Sequence, residues 1–294
     1  MTPAAPRVAF VGFGALASSF AIGFNTPGRP PIKAYVRPRA DRKTVISRLE
    51  AAGVVACASI SDAVGDVDVV VAGVPATAAE EVAHECLQAL AAGTVYVDPA
   101  PLDPGTKGRL AVRFAEAGAE YVDAAVLGTV ETEGFRVPLL LSGPGAVRFA
   151  QTVEPLGFVV SVIDGPAGRS SLVKLIRSVF TKGRDALILE MLLAARRYDL
   201  ESVVLESFAG KGERVTFPEL ANRVLGSLAL YADRRAAELD TCAEILLAGD
   251  VDPVMTKAGA ARLRRMGRLD LRSRFANERP GSLVEVLDAL DGLR

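Results

Sequence analysis

Histidine is nearly absent from this chain of 294 residues: His84 is the single one. A serine or cysteine nucleophile with a histidine base would have to use it, and no nucleophile-elbow motif accompanies it. No His, Cys and carboxylate groups stand at ligand spacing either, so no metal site is expected. His84 lies in an expected helix over 78–90 among Glu80, Glu81 and Glu85, which reads as a solvated face. Cysteine is scarce too. Cys57, Cys86 and Cys242 are far apart and offer neither a Cys-x-x-Cys pair nor a disulfide framework, so they read as buried or partly buried thiols in a reducing cytoplasm. Charge of either sign is not in excess: 34 basic residues against 35 acidic ones leave a formal −1. That balance gives no general attraction to nucleic acid or to an anionic membrane, and neither is expected as a partner. No apolar run reaches bilayer length. The first residues are small residues and prolines leading straight into a strand, without a basic segment and apolar core, so a cytoplasmic location is expected.

Apolar residues, by contrast, make up 50% of the chain, enough for two domains and a large core. The first half alternates short β-rich runs with helical spacing. Strands are expected at 8–11, 32–36, 67–71, 95–97, 120–124, 138–142 and 159–163, with a helix-like stretch over 145–153. A run such as Val69, Val70 and Val71 suits a strand covered on both faces, as in a parallel sheet with crossover helices. After the turn at 164–168 the pattern becomes helical, with segments expected at 170–198, 201–208, 218–247, 252–267 and 282–290; Pro218 suits a first helical turn. The fold class is therefore α/β: a Rossmann-type, doubly wound parallel sheet over 1–165, then an all-helical domain over 166–294. The 170–198 helix is rich in Leu, Ile, Val and Ala and longer than a small domain is wide. Packing against a second subunit, in a homodimer, is expected, with intramolecular packing as the competing explanation.

The most informative stretch is at the start. The apolar run 8–11 stops at Gly12, Phe13, Gly14, Ala15, Leu16 and Ala17, then resumes with helical spacing. This is a dinucleotide-binding fingerprint between a strand and a helix. Gly12 makes a turn that a Cβ would hinder, Gly14 lets backbone approach a pyrophosphate, and Ala17 keeps the helix close to its strand. The helix N-terminus offers N–H groups and partial positive charge to the phosphates. In the NAD version a carboxylate about 20 residues on holds the ribose 2′-hydroxyl. Here the second strand ends in Arg37, followed by Arg39, Arg42 and Lys43. A guanidinium at that tip can pair with a 2′-phosphate, so NADP(H) is expected rather than NAD(H). Asp41 keeps an NAD ribose open as the alternative.

A Rossmann-like half followed by a helical half, with the Gly12 to Ala17 motif, Val74 and Pro75 after the 67–71 strand, Asp123 to Gly128, and Gly168 followed by Lys174, resembles the β-hydroxyacid dehydrogenase superfamily. Its members include 6-phosphogluconate and 3-hydroxyisobutyrate dehydrogenases and, more distantly, imine reductases. The stretches Arg177 to Gly183 and Tyr231 to Glu238 look closer to a bacterial subgroup described as phosphogluconate-dehydrogenase-like. The resemblance implies an NADP-dependent oxidoreductase with Val74 and Pro75 at the cofactor and Lys174 as the acid/base at a substrate hydroxyl or carbonyl. A lysine facing a desolvated cleft has a lowered pKa, which suits that role. Arg177, one turn on, would hold an anionic group and push the lysine toward neutrality, while Thr129 and Ser178 would orient the reacting oxygen. Without the resemblance, Lys174 and Arg177 also read as the polar stripe of a helix.

The departures narrow the substrate. Where the hydroxyacid enzymes carry a serine near a substrate carboxylate this chain has Leu127, and where they carry an asparagine one turn after the lysine it has Ser178. The segment 98–104 also lacks the usual polar residues near nicotinamide. Ordinary 6-phosphogluconate or hydroxyisobutyrate turnover is thus disfavoured, and a less polar or differently anchored substrate is expected. Two alternatives stay open: imine reduction on the same fold, and NADP binding without catalysis.

Overall fold

A computed structural model of the chain describes residues 5–37, 42–208 and 216–292. Eight strands form one sheet: β1 Val8–Val11, β2 Lys33–Tyr35, β3 Val55–Ala56, β4 Val69–Ala72, β5 Val95–Asp98, β6 Glu120–Val126, β7 Leu139–Ser142 and β8 Val160–Val162. Their spatial order is β3-β2-β1-β4-β5-β6-β7-β8. The apolar runs are explained by two cores, one on each face. β1 sends Val8 and Phe10 to one core and Ala9 and Val11 to the other, and β4 divides Val69 and Val71 from Val70 and Ala72 in the same way. This is the period of two that a doubly covered strand requires.

The sheet is mostly parallel, with one exception to the expected pattern: β6 and β7 pair antiparallel. Their connection holds only the four-residue helix Val130–Glu133 and the single turn Gly134–Arg136, with no full crossover helix to return the chain to the starting edge. β3 was not visible in the pattern because it is two residues long and exposed.

The chain divides into two compact units, residues 1–178 and 179–294, and the division falls inside the helix Arg169–Arg197. In the second unit, the helices Glu201–Phe208, Phe217–Ala248, Val254–Gly267 and Leu283–Asp291 match the expected segments. The Phe217–Ala248 helix opens with Pro218 in its first turn and a reciprocal capping pair, Thr216 and Glu219, and it kinks at Tyr231. The carboxylate of Glu190 caps the Val254–Gly267 helix, accepting from the backbone N–H groups of Met255 at 2.8 Å and Thr256 at 2.9 Å.

Among the described residues no helix is long and apolar enough to cross a membrane. Cys86 is buried and burial pushes its thiol up to about 12, while Cys57 is half-buried. Cys242 departs from expectation: it is exposed, one turn after Glu238 on the solvent face of its helix. His84 is half-buried, its ring against the Arg113 guanidinium.

Candidate active site

From β1 the chain passes to β2 on one side, whereas β4 joins β1 from the other, so the strand order reverses between β1 and β4. Ligands of open α/β sheets bind in the crevice that such a reversal leaves at the carboxyl ends of the strands. Here it holds a cavity of about 230 Å³, whose lining includes Gly12, Phe13, Gly14, Arg37, Val74 and Pro75. Six of the eight cofactor residues expected from sequence therefore converge on one cleft.

The cleft depends on two loops that touch through bare backbone. Gly12 has φ +82°, and a Cβ on it would lie 2.5 Å from Val74 Cγ1 and 2.6 Å from the Gly73 carbonyl oxygen. A Cβ on Gly73 would lie 2.6 Å from Ala17 Cβ and 2.7 Å from the Gly12 oxygen. Ala17, fully buried, thus sets its methyl where a side chain on Gly73 would have to begin. Gly14 is different: an added Cβ would meet only the Gly73 oxygen, at 3.9 Å, so the space above it is open to a ligand. It caps the helix Ala15–Phe24 with no side-chain bond to the first turn and no acidic residue there, which leaves the positive helix end for an anion. Ala15 and Leu16 stand in that first turn outside the cavity lining, and Leu16 packs on the core. What they can offer a phosphate is backbone N–H.

Arg37 reaches the cleft with company. Its guanidinium lies 3.1 Å from Glu81 and also contacts Glu85, one turn apart on the helix Ala76–Leu87. A second cation, Arg48, lines the same cavity beside apolar Val45, Ile60 and Val82. Sequence reasoning missed both Gly73 and Arg48. The glycine directly after an apolar strand was the available signal for the first. Arg39 and Asp41 lie outside the described residues.

At the ends of the adjacent strands β5 and β6 the chemistry changes. Asp98 and Asp123 stand in register there, and the ammonium of Lys107, from the helix Pro104–Glu116, is inserted between them. Its Nζ lies 2.8 Å from Asp123 Oδ1, 2.8 Å from the Asp98 carbonyl oxygen and 3.6 Å from Asp98 Oδ2, with all three residues buried. Asp98 also accepts from the Tyr121 hydroxyl and, at 2.8 Å, from the Ala100 N–H. Asp123 accepts from the N–H groups of Gly168 at 3.0 Å and Ser171 at 2.9 Å, and from Ser171 Oγ at 2.7 Å. Ser170 adds a bond from its hydroxyl to the Asp123 carbonyl. Burial alone would push the Asp123 carboxyl up, but Lys107 and the serine hydroxyls prevail and hold it below its usual value. This network ties the first turn of the Arg169–Arg197 helix to β6. Lys107 was missed in the sequence, although it falls on the apolar stripe of Leu110, Ala111 and Phe114, where a lysine is out of place.

Lys174 follows one turn beyond Ser170 and Ser171. It is half-buried, and burial lowers its pKa; the charge of Lys107 lowers it further, Asp123 opposes, and Arg177 adds to the lowering. Arg177 itself is exposed. The Ser178 hydroxyl donates to the Lys174 carbonyl oxygen at 2.9 Å. Thr129 is exposed at the start of the Val130–Glu133 helix, where its N–H donates to Glu133 at 2.7 Å. Among the described residues Thr129 makes no hydrogen bond to Lys174, Arg177 or Ser178, so the structure brings together three of the four expected catalytic residues, on one stretch of helix. No cluster of three or more His, Cys, Asp or Glu suited to a metal occurs among the described residues.

Residues 7–146 match the family described as the NAD binding domain of 6-phosphogluconate dehydrogenase. Over 253 residues, 85% of this chain and 95% of the relative, the sequence is 26% identical to an uncharacterised 28.5 kDa protein of Methanothermus fervidus. It is also 26% identical over 216 residues to 2-(hydroxymethyl)glutarate dehydrogenase of Eubacterium barkeri, covering 70% of this chain and 68% of that one. Among solved structures, the imine reductase of Myxococcus stipitatus in complex with NADP+ has the same fold, with TM-score 0.74 at 16% identity over 90% of this chain and 94% of the other.

Proposed function

We propose that this chain, whose residues 7–146 match the NAD binding domain of 6-phosphogluconate dehydrogenase, is a relative of the NAD(P)-dependent β-hydroxyacid dehydrogenases and reductases. It is an NADP-dependent oxidoreductase that exchanges a hydride between nicotinamide and a small alcohol/carbonyl pair. The observation that carries the reading is the crossing of Gly12 and Gly73 beneath a cleft with Arg37 and Arg48 in its lining. When bound, the dinucleotide supplies the hydride. The chain contributes backbone N–H groups at Phe13 to Leu16 for the pyrophosphate, and the two guanidinium groups for a 2′-phosphate. Val74 and Pro75 flank it. Lys174, kept ready to lose its proton by desolvation, serves as acid and base at the substrate oxygen. Ser178 and Thr129 orient that oxygen, and exposed Arg177 holds an anionic group of the substrate.

Imine reduction is the second reading. It is favoured by Leu127, an apolar residue in the substrate loop where the hydroxyacid enzymes carry a serine. A homodimer is proposed as well. On the Arg169–Arg197 helix Leu172, Leu175, Ile176, Leu189 and Leu193 are exposed, more apolar surface than one helix normally leaves to water. Sedimentation at working concentration checks it, and a strict monomer rejects it.

The deciding experiment is a pair of fluorescence titrations, NADPH and NADH, on wild type and Arg37→Asp. Preference for NADPH in wild type and its loss in the variant support the cofactor reading; weak binding of both cofactors removes it. Hydroxyacid oxidation, amine oxidation and cyclic-imine reduction, screened side by side, then separate the two chemistries. On a substrate so identified, Lys174→Met lowers turnover by about 100-fold or more, and full retention rejects the acid/base role.

A further inference from the structure

Lys107 is a fully buried cation to which the proposed function assigns no role. Position 107 continues the apolar stripe of Leu110, Ala111 and Phe114. Filling such a position with an apolar side chain is often as stabilising as burying an ion pair, so the fold alone does not call for a lysine. What an apolar residue could not supply is positive charge at the root of the helix that bears Lys174.

We propose that Lys107 is a positioning residue for Lys174: through Asp123 it fixes the helical turn that precedes Lys174, and it keeps a buried positive charge at the carboxylate that anchors that turn. The proposal rests on Lys174 being the proton-exchanging group. The geometry is a chain of short contacts, from Lys107 Nζ to Asp123 at 2.8 Å and from Asp123 to the backbone and hydroxyl of Ser171 at 2.9 and 2.7 Å. The charges that act on Lys174 are Lys107 from the Pro104–Glu116 helix, Asp123 from β6 and Arg177 from its own helix. The Asp123 carboxylate that opposes the two cations also accepts from the N–H groups of Gly168 and Ser171, so it is held at the root of the same helix. Both cations favour the neutral amine, and the one negative charge opposes them.

The test is the titration of Lys174 in the full-length protein, followed by NMR after reductive methylation with carbon-13, its resonance assigned by Lys174→Arg. In wild type Lys174 titrates below the ordinary lysine range. In Lys107→Gln it titrates higher by about one pH unit, while Lys107→Arg, which keeps the charge, leaves it at the wild-type value. Should Lys107→Gln not fold, the double variant Lys107→Met/Asp123→Asn removes the pair together and gives a smaller rise in the same direction. A purely structural role for Lys107 changes the melting temperature without moving this titration. An unmoved Lys174 titration in folded Lys107→Gln or in the double variant overturns the inference and leaves the reading of Lys174 standing. An ordinary lysine titration in wild type overturns both.

Discussion

At the ends of β1 and β4 the chain is bare backbone, with Gly12 and Gly73 too close for a single added carbon; at the ends of β5 and β6, immediately alongside, it is a packed cluster of ions around Lys107. The first place is a contact of main chain on main chain at the edge of a cavity of about 230 Å³. The second is already filled by its own side chains, and every oxygen of Asp98 and Asp123 accepts a hydrogen bond or faces the ammonium. One region therefore cannot accept an added atom, and the other cannot lose a charge. Both limits come from burial: close packing forbids the Cβ, and the low dielectric forbids the unpaired ion.

The largest effect expected from breaking this contrast lies in the ionic cluster. Lys107→Met alone strands Asp123 and also leaves Asp98 without its cation, and costs about 3–5 kcal/mol in urea denaturation, whereas Lys107→Met/Asp123→Asn recovers part of it. Equal losses in the single and double variants would mean that the pair does not act as a unit. The same lock weakens in acid. Because the folded Asp123 pKa is held below its unfolded value, its contribution is complete above about pH 4 and is lost as pH falls through the depressed value.

Next comes the glycine crossing. Gly12→Ala forces a side chain into φ +82° against Val74 and Gly73, and NADPH affinity drops by about 100-fold, read by nicotinamide fluorescence. Wild-type affinity in this variant would show that the loop contact is not what shapes the cleft. The smallest effect concerns Arg37, whose two carboxylate partners would share it with a 2′-phosphate. Glu81→Gln/Glu85→Gln releases the guanidinium from these two carboxylates and tightens NADPH by several-fold, with NADH unchanged. Weaker NADPH binding would instead make the carboxylates a support that aims Arg37.

The contrast also explains what could be read from the residues in order. The Gly12 to Ala17 motif is local: strand, turn and helix follow one another without interruption from Val8 to Phe24, and each constraint falls on a residue type that betrays it. The helices of the second unit were legible for the same reason, since their spacing and Pro218 in a first turn are local. Gly73 was harder, because its need for no side chain comes from Ala17 and Gly12, far away in sequence. Lys107, Asp98 and Asp123 were hardest. Their meaning lies in strand register and in a helix that returns over the sheet, and no window of sequence holds all three. The reversal at β7 was illegible too, because apolar alternation fixes the faces of a strand and not its direction.

Lys107 and Asp123 have a consequence for how this chain can vary. Each is the nearest charge partner of the other in a buried cluster, so a lineage that replaces one without the other passes through a form about 3–5 kcal/mol less stable. The two positions form one heritable character, written 16 residues apart. Related chains should carry both or neither. A tally of paired and unpaired states across such chains would read the inside of the protein without a structure.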